Sequence, residues 1–519
     1  MPNRHTDILF QLIQSLEKSE KRHFKLYIKR SSANEDLKII QLFDALDKLH
    51  DYDEKLLLRK LSNIEKPQLA NLKTHLYKQI MSSLRLLKNN DNIDLQLNEQ
   101  LDYARILYNK GLKHQSLRTL ERVKEIARNN YKFSFLTQVI SLEKKIETLH
   151  ITRSTLEKTA NLAKEALEVT DHISRVARLS NLALLLYGWY VKNGHARNED
   201  DEVDVKQFFK ENLPTENHED AGFYEKLYLY QSYVWYAFIR QDFLMYYRYS
   251  QKWIDLFNEE EMMRAVEIGH YIKGMHNLLN AHFDLRNFKK FEITLKEFEA
   301  FSSTQLANQH DNFRVHIFIY INSAKINQHL MLGTFSEGLA LIKIIEDKLE
   351  EYAKFVDRHR ILVFNYKFAT LYFGHGDYAT CIDYLQKIIN DQVGLRNDLQ
   401  CYARLMHLMA HYELGNSEII EYLIKSVYRF MAKMQNLTVI EEEMFKFLRK
   451  SFNISPRKLH DEFETFLLTI KKYEKSRFET RAFAYLDIIS WVEGKVYNKP
   501  MSYIINQKYL SSKKRYYPN

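Results

Sequence analysis

Glycine, proline and cysteine are scarce in this chain: 13, 6 and 2 residues of 519. Average usage of the first two is about 7% and about 5%. The shortage argues against collagen-like repeats, Gly/Ser linkers, Rossmann-type glycine loops and turn-rich β-sandwiches. Cys381 and Cys401 are too few for a disulfide framework and lack metal-ligand spacing. They fit a reducing cytosol. The most apolar stretch, Leu182 to Val191, is far short of the roughly 20 residues that a membrane helix needs. Met1 to Asp7 carry no charged-then-apolar secretion signal. The phosphate loop, the dinucleotide fingerprint and the Gly-x-Ser-x-Gly elbow are missing as motifs. These absences predict a cytoplasmic, non-enzymatic chain with no cofactor, no metal and no membrane attachment.

What the chain does have is helical periodicity. Apolar residues recur at three- and four-residue steps, as in Leu69, Leu72, Leu76, Ile80, Leu84 and Leu87. That is the stripe of an amphipathic helix. No run of strict alternation competes with it, so the chain reads as all-α. Hydrophobic residues are 45% and aromatics 13%, enough to build a core.

Net charge is +9, mild for this length, so its distribution matters more. Residues 55–88 hold eight basic residues against Glu65, and residues 494–519 hold six against none. Glu199 to Asp220 holds nine acids and two lysines, and with Pro214 reads as a loop within residues 197–220.

Turn signals punctuate the helices. Gly376-Asp377-Tyr378 and Gly333-Thr334-Phe335 are the clearest, with Gly415-Asn416-Ser417, Arg286-Asn287-Phe288 and Gln241-Asp242-Phe243 as weaker copies. With Gly111, Ser154 and Gly194, the anchors are spaced by 43, 40, 47, 45, 47, 43 and 39 residues. A period of about 43 across some 300 residues is the signature of a helical-repeat array. One helix pair cannot bury its apolar face alone, whereas stacked pairs share a continuous core.

At these turns the chain resembles the tetratricopeptide-repeat (TPR) family. Gly376, Asp377, Tyr378 and Cys381 match its turn and its following small residue, as do Gly333, Phe335 and Gly338. Leu371 to Gly374 and Met331 to Gly333 fit the end of the first helix loosely, the helix-ending proline is missing, and the period exceeds the family's, which is about 34. The match is best over residues 320–430 and diluted over 100–460. The resemblance implies a right-handed α-α superhelix, a TPR-like solenoid, that binds partners on its concave face. The expected division is a basic helical bundle at 1–95, the array at 96–497 and a basic tail at 498–519 that trails from it.

Within 1–95, Asp7–Glu17, Lys21–Lys29, Asp36–His50, Asp53–Leu61 and Pro67–Leu87 read as helices, with a turn at Ser62 to Lys66 between the last two. Opposite its apolar stripe the Pro67 helix presents Asn71, Thr74, Lys78, Ser82 and Arg85. Asn and Arg can read base edges, and Lys and Thr can hold phosphates. With the preceding short helix this makes a helix-turn-helix-like candidate; a solvated polar face is the plainer reading.

Thirteen aromatics fall between Phe223 and Trp253. Tyr224, Tyr228, Trp235 and Phe238 read as a buried stripe. Tyr230, Tyr233 and Tyr247 are the candidates for partner-binding residues in a groove, since tyrosine joins apolar area to a polar handle. His407 and His411 lie one helical turn apart, but Leu408 stands where a zinc protease has its glutamate, so ordinary helix histidines are expected. Cys381, at a small-residue position, is expected to be a packed, inert thiol. The favoured function is a non-enzymatic scaffold for a protein or peptide partner. The alternative is a transcriptional regulator whose N-terminal helices contact DNA and whose array acts as the sensor.

Overall fold

The computed structural model describes residues 7–30, 34–61, 66–89, 92–150, 156–214, 221–353, 355–391, 397–434, 437–451, 454–474, 476, 478–479 and 485–516. Ser154 and most of the turn expected at Ser62 to Lys66 lie outside them. The described residues are helical throughout, with short connections and no strand. None of these helices is long and apolar enough to cross a membrane. The chain divides into two compact units, Met1–Ile173 and Ser174–Asn519, and the boundary falls inside one long helix, within the stretch that the sequence reads as a single array.

The first unit holds two separate cores. Helices α1 (Ile8–Ser15), α2 (Lys18–Lys29), α3 (Asn34–Asp47), α4 (Glu54–Lys60) and α5 (Lys66–Lys88) enclose one of them. It is built on Ile13, Phe24, Leu42, Phe43, Leu76 and Ile80, with the Phe24 and Phe43 rings 4.8 Å apart. Asp53 starts α4 by accepting hydrogen bonds from the Lys55 and Leu56 amides at 2.8 and 3.1 Å, which satisfies two of the donors a helix start leaves open. Helices α6 (Ile93–Asn109), α7 (Lys113–Asn129), α8 (Phe133–Leu149) and the start of α9 (Leu156–Asn193) enclose the other core, around Leu97, Leu101, Leu120, Val123 and Val139.

The second unit is a succession of helical hairpins. After α9 come α10 (Glu199–Asn212), α11 (Phe223–Ile239), α12 (Phe243–Glu259), the short α13 (Met263–Val266), α14 (Ile268–Asp284) and α15 (Phe288–Ser302). Then follow α16 (Asp311–Leu332), α17 (Phe335–Glu351), α18 (Arg358–His375), α19 (Tyr378–Ile389), α20 (Asn397–Glu413) and α21 (Ser417–Lys433). Helices α22 (Val439–Ser451), α23 (Pro456–Lys471), Ile488–Val496 and Met501–Tyr516 complete it.

The hairpin turns share one construction. Gln241, Arg286, Gly333, Gly376 and Gly415 adopt left-handed φ values of 55, 52, 71, 95 and 69°. Gly111 and Gly194 do the same at 79 and 77°, so every sequence anchor in the described residues is a left-handed turn. The next amide then reaches back to close the helix end: Asp242 N to Ala237 O at 2.9 Å, Asn287 N to His282 O at 2.8 Å, Asp377 N to Tyr372 O at 3.0 Å. This is the backbone pattern of a Schellman C-cap. The same residue opens the following helix, its side chain accepting from Met245, Lys290 and Thr380 amides respectively. One residue therefore ends one helix and starts the next, which makes the reversal tight.

Two kinds of helix alternate along the unit. Helix α21 buries a single stripe, Ile420, Ile424, Val427 and Met431. Helix α18 buries Leu362, Phe364, Tyr366, Phe368, Leu371 and Phe373, which spreads apolar contact round its whole circumference. Each inner helix of the α18 kind packs on its hairpin partner and also on the next inner helix: α14 on α16, α16 on α18, α18 on α20.

Two expectations need correction. Residues 199–212 form α10, not a loop. Its N-cap Asn198 accepts from the Asp201 amide at 2.8 Å, and four acids in the first turn suit the positive end of the helix dipole. Residues 501–516 are a helix docked on α16 and α18, not a trailing tail. Asn506 donates to Leu332 O at 3.1 Å, the Tyr509 ring meets Phe288 at 4.8 Å, and Lys508 bridges Glu493 at 2.7 Å. Among the described basic side chains of this end, Lys495 pairs with Glu413 at 2.6 Å and Lys508 with Glu493, so these two charges have partners within the fold.

Gly374 on α18 lies against the buried Phe335 ring of α17; a Cβ there would fall 2.3 Å from Phe335 Cζ. Gly374→Ala should therefore destabilise the second unit by about 1–3 kcal/mol through overpacking. Urea unfolding checks this, and an unchanged midpoint would contradict the packing described.

Candidate functional site

A cleft of about 960 Å³ opens in the second unit. Its size suits a small ligand or a short chain segment. One wall is aromatic. Trp235 of α11 lies 5.3 Å from Tyr187 and 5.6 Å from Tyr190 of α9, and Phe238 lies 5.3 Å from Tyr190 and 5.7 Å from Tyr246 of α12. His195, just beyond α9, is fixed at this wall: its ring contacts Phe238 at 4.6 Å and Nδ1 meets Phe238 O at 2.8 Å.

The floor is polar and comes from the inner helices. Lys273, His276, Asn277 and Asn280 lie at i, i+3, i+4 and i+7 on α14 and all line the cleft. Arg360 at the start of α18 joins them. Three of these groups surround one ring, Tyr320 of α16. His276 stacks on it at 3.9 Å, Arg360 lies 5.2 Å from its centroid and Lys273 5.8 Å. Arg360 also donates to Asp357 Oδ2 at 2.9 Å.

Burial and mutual repulsion set the electrostatics. Desolvation lowers the Lys273 pKa, and Arg360 lowers it further. His276 is held well below the ordinary histidine value by desolvation and by Lys273, Arg360 and Lys367. Further along, Lys367 is pushed down to about 8 by burial, partly offset by Asp284. Asp284 is pushed up to about 7 by burial, partly offset by Arg286 and Lys367.

Three buried cleft atoms have no hydrogen-bond partner among the described residues: Gln231 Oε1, Trp253 Nε1 and Arg360 Nη1. Buried polar atoms are normally paired, so three such atoms in one cavity mark it out from the rest of the interior.

Tyr230, Tyr233 and Tyr247, the tyrosines expected to bind a partner, do not line this cleft. Tyr233 stacks on Tyr249 at 4.1 Å and Tyr230 lies 6.1 Å from that same ring, both on the side of α11 turned to α12. Tyr247 accepts from Lys290 of α15 at 2.6 Å. Trp235 and Phe238, expected in the buried stripe, form the cleft wall instead. The α14 polar stripe was missed, although its i, i+3, i+4, i+7 spacing beside the apolar Tyr271, Ile272, Met275, Leu278 and Leu279 was visible in the sequence.

On α5, Asn71, Thr74, Lys78 and Arg85 are all exposed on one face. Thr74 donates to its own helix at Ala70 O, and Arg85 lies 3.7 Å from Asp102. Lys73 of the same basic region is turned inward, bonded to Asp7 and, at 2.9 Å, to Tyr52. The His407 and His411 rings lie 4.5 Å apart, and burial pushes His407 down to about 4. The described residues that could share one metal ion are His460, Asp461 and Glu464, all exposed. Cys381 is fully buried and its thiol pKa is raised by desolvation. Comparison with protein families, curated proteins and solved structures gives no match for this chain.

The Asp284 shift sets a pH dependence. Between pH 3.8 and about 7 the folded chain keeps a proton that the unfolded chain has released. Stability relative to Asp284→Asn should therefore fall as pH rises through that window, then level off. Urea titrations of both proteins across the range test it; a pH-independent difference would rule it out.

Proposed function

We propose that the chain is a TPR-like helical-repeat protein, a right-handed solenoid over its hairpins, that works as a non-enzymatic cytoplasmic scaffold. Its partner is a peptide or an extended protein segment received in the cleft. The observation that carries this reading is the pairing of an aromatic wall with a polar stripe from inner helices. Aromatic rings supply contact area at little entropic cost, and amides such as Asn277 and Asn280 can both donate and accept, as a peptide backbone requires. The left-handed turns spaced like helical repeats, and the match of Gly376-Asp377-Tyr378 to the family's turn, support the architectural part.

Selection from a displayed peptide library tests the function. Enriched peptides should bind the parent and lose binding to Gln231→Trp, which narrows the cleft. No enrichment over an unrelated helical protein, or equal binding to the variant, would count against it.

Exposed basic residues on α4 and α5 support a second reading, DNA contact by a regulator. Lys55, Arg59, Lys60 and Lys78 form no ion pair among the described residues and leave positive charge for phosphates. On this reading Lys78→Glu with Arg85→Glu abolishes a salt-sensitive duplex affinity in a gel-shift titration. Duplex binding that survives the double substitution, or is absent from the parent, removes it.

A further inference from the structure

Lys273 is the least explained charge in the cleft. It makes no ion pair among the described residues, and its strongest favourable neighbour is the Tyr320 ring. Asp357, an acid that lines the cleft, is already used twice: it accepts from Arg360 Nε, and it caps α18 through the Arg360 amide at 2.9 Å. A buried cation without a counter-charge is costly. Arg360 is close by and has an unpartnered Nη1, so the floor presents two cations that repel each other.

Trp253 adds a third unused donor. Its indole lies on Gly274, next to Lys273, where a Cβ would come within 3.1 Å of the ring nitrogen. A larger residue at 274 would displace the ring, so the close approach depends on this glycine. Lys273, Arg360 and Trp253, which carry these donors, line one cavity together with Trp235 and Phe238.

We propose that the cleft binds an oxyanion, a carboxylate or a phosphate, at Lys273 and Arg360, with the ligand's apolar body against Trp235 and Phe238. This rests on the cleft being the binding site. An oxyanion supplies an acceptor for these donors and a counter-charge for Lys273, since Asp357 is already paired with Arg360. Charge-assisted hydrogen bonds of this kind are about twice as strong as neutral ones.

Isothermal titration of the full chain with four probes tests it: N-acetylphenylalanine, its C-terminal amide, phenyl phosphate and inorganic phosphate. The acid or the phosphate ester should bind at least about tenfold more tightly than the amide. Their ranking tells a carboxylate ligand from a phosphate one, and weak binding of inorganic phosphate would show the anion subsite without the wall. Lys273→Met should weaken the preferred anion by about tenfold. The same variant should unfold at the parent's temperature or above it, because an unpaired buried cation has been removed. Equal binding of acid and amide, or unaltered anion affinity in Lys273→Met, overturns the oxyanion assignment and leaves the cleft as a binding site. Failure of all four probes to bind overturns the oxyanion assignment, and the displayed-peptide selection then decides separately whether the cleft is a binding site.

Discussion

The second unit depends on a backbone hydrogen bond that needs a left-handed residue before it. The bond from Asp377 N to Tyr372 O can form only if Gly376 turns to φ 95°. Repeated at residues 241, 286, 333 and 415, this bond sets where each helix stops and how its partner returns. Everything built later, inner layer and cleft included, inherits its register from those turns. Gln241 and Arg286 hold the same conformation without being glycine, so packing around them bears a conformational cost that L-residues otherwise avoid.

The inner helices carry the main tension of the fold. They must bury apolar residues on nearly every face and still present polar groups to a cavity. Helix α14 reconciles these demands by confining Lys273, His276, Asn277 and Asn280 to one stripe, with Met275, Leu278 and Leu279 buried beside it. Stacking on Tyr320 gives the cationic groups a partly favourable surface, since an aromatic face attracts positive charge. The arrangement holds like charges together in a low-dielectric site, a feature more typical of functional than of purely structural positions.

Much of the fold was legible in the sequence. All-helical structure followed from three- and four-residue apolar spacing, and the turns followed from Gly-Asp-Tyr-like tripeptides because their chemistry is local. The N-terminal helices follow the same logic, and the hydrophobic clusters around Leu76 and Leu97 are distinct. The cleft was not legible. On a helix apolar all round, such as α11, periodicity does not say which aromatic faces the cavity, and Trp235 and Phe238 line it where spacing alone reads a buried stripe. The acidic residues of α10 read as loop because net charge hid a good N-cap at Asn198. The basic end read as solvated because its partners, Glu493 and the Leu332 carbonyl, are distant in sequence or belong to the backbone.

The docked Met501–Tyr516 helix changes what kind of object the second unit is. An open stack of hairpins couples only neighbours and can fray progressively from an end. Here Asn506 reaches Leu332 across 174 residues, and Ser502 lies so close to Gly333 that a Cβ there would sit 2.5 Å from its carbonyl oxygen. That long-range clasp ties α16 and α18 to a segment far along the chain. The hairpins between them are thereby linked into a closed loop of contacts, which must form and dissolve together. Such a block gains cooperativity at the expense of folding speed, because the loop must close before its contacts can reward it.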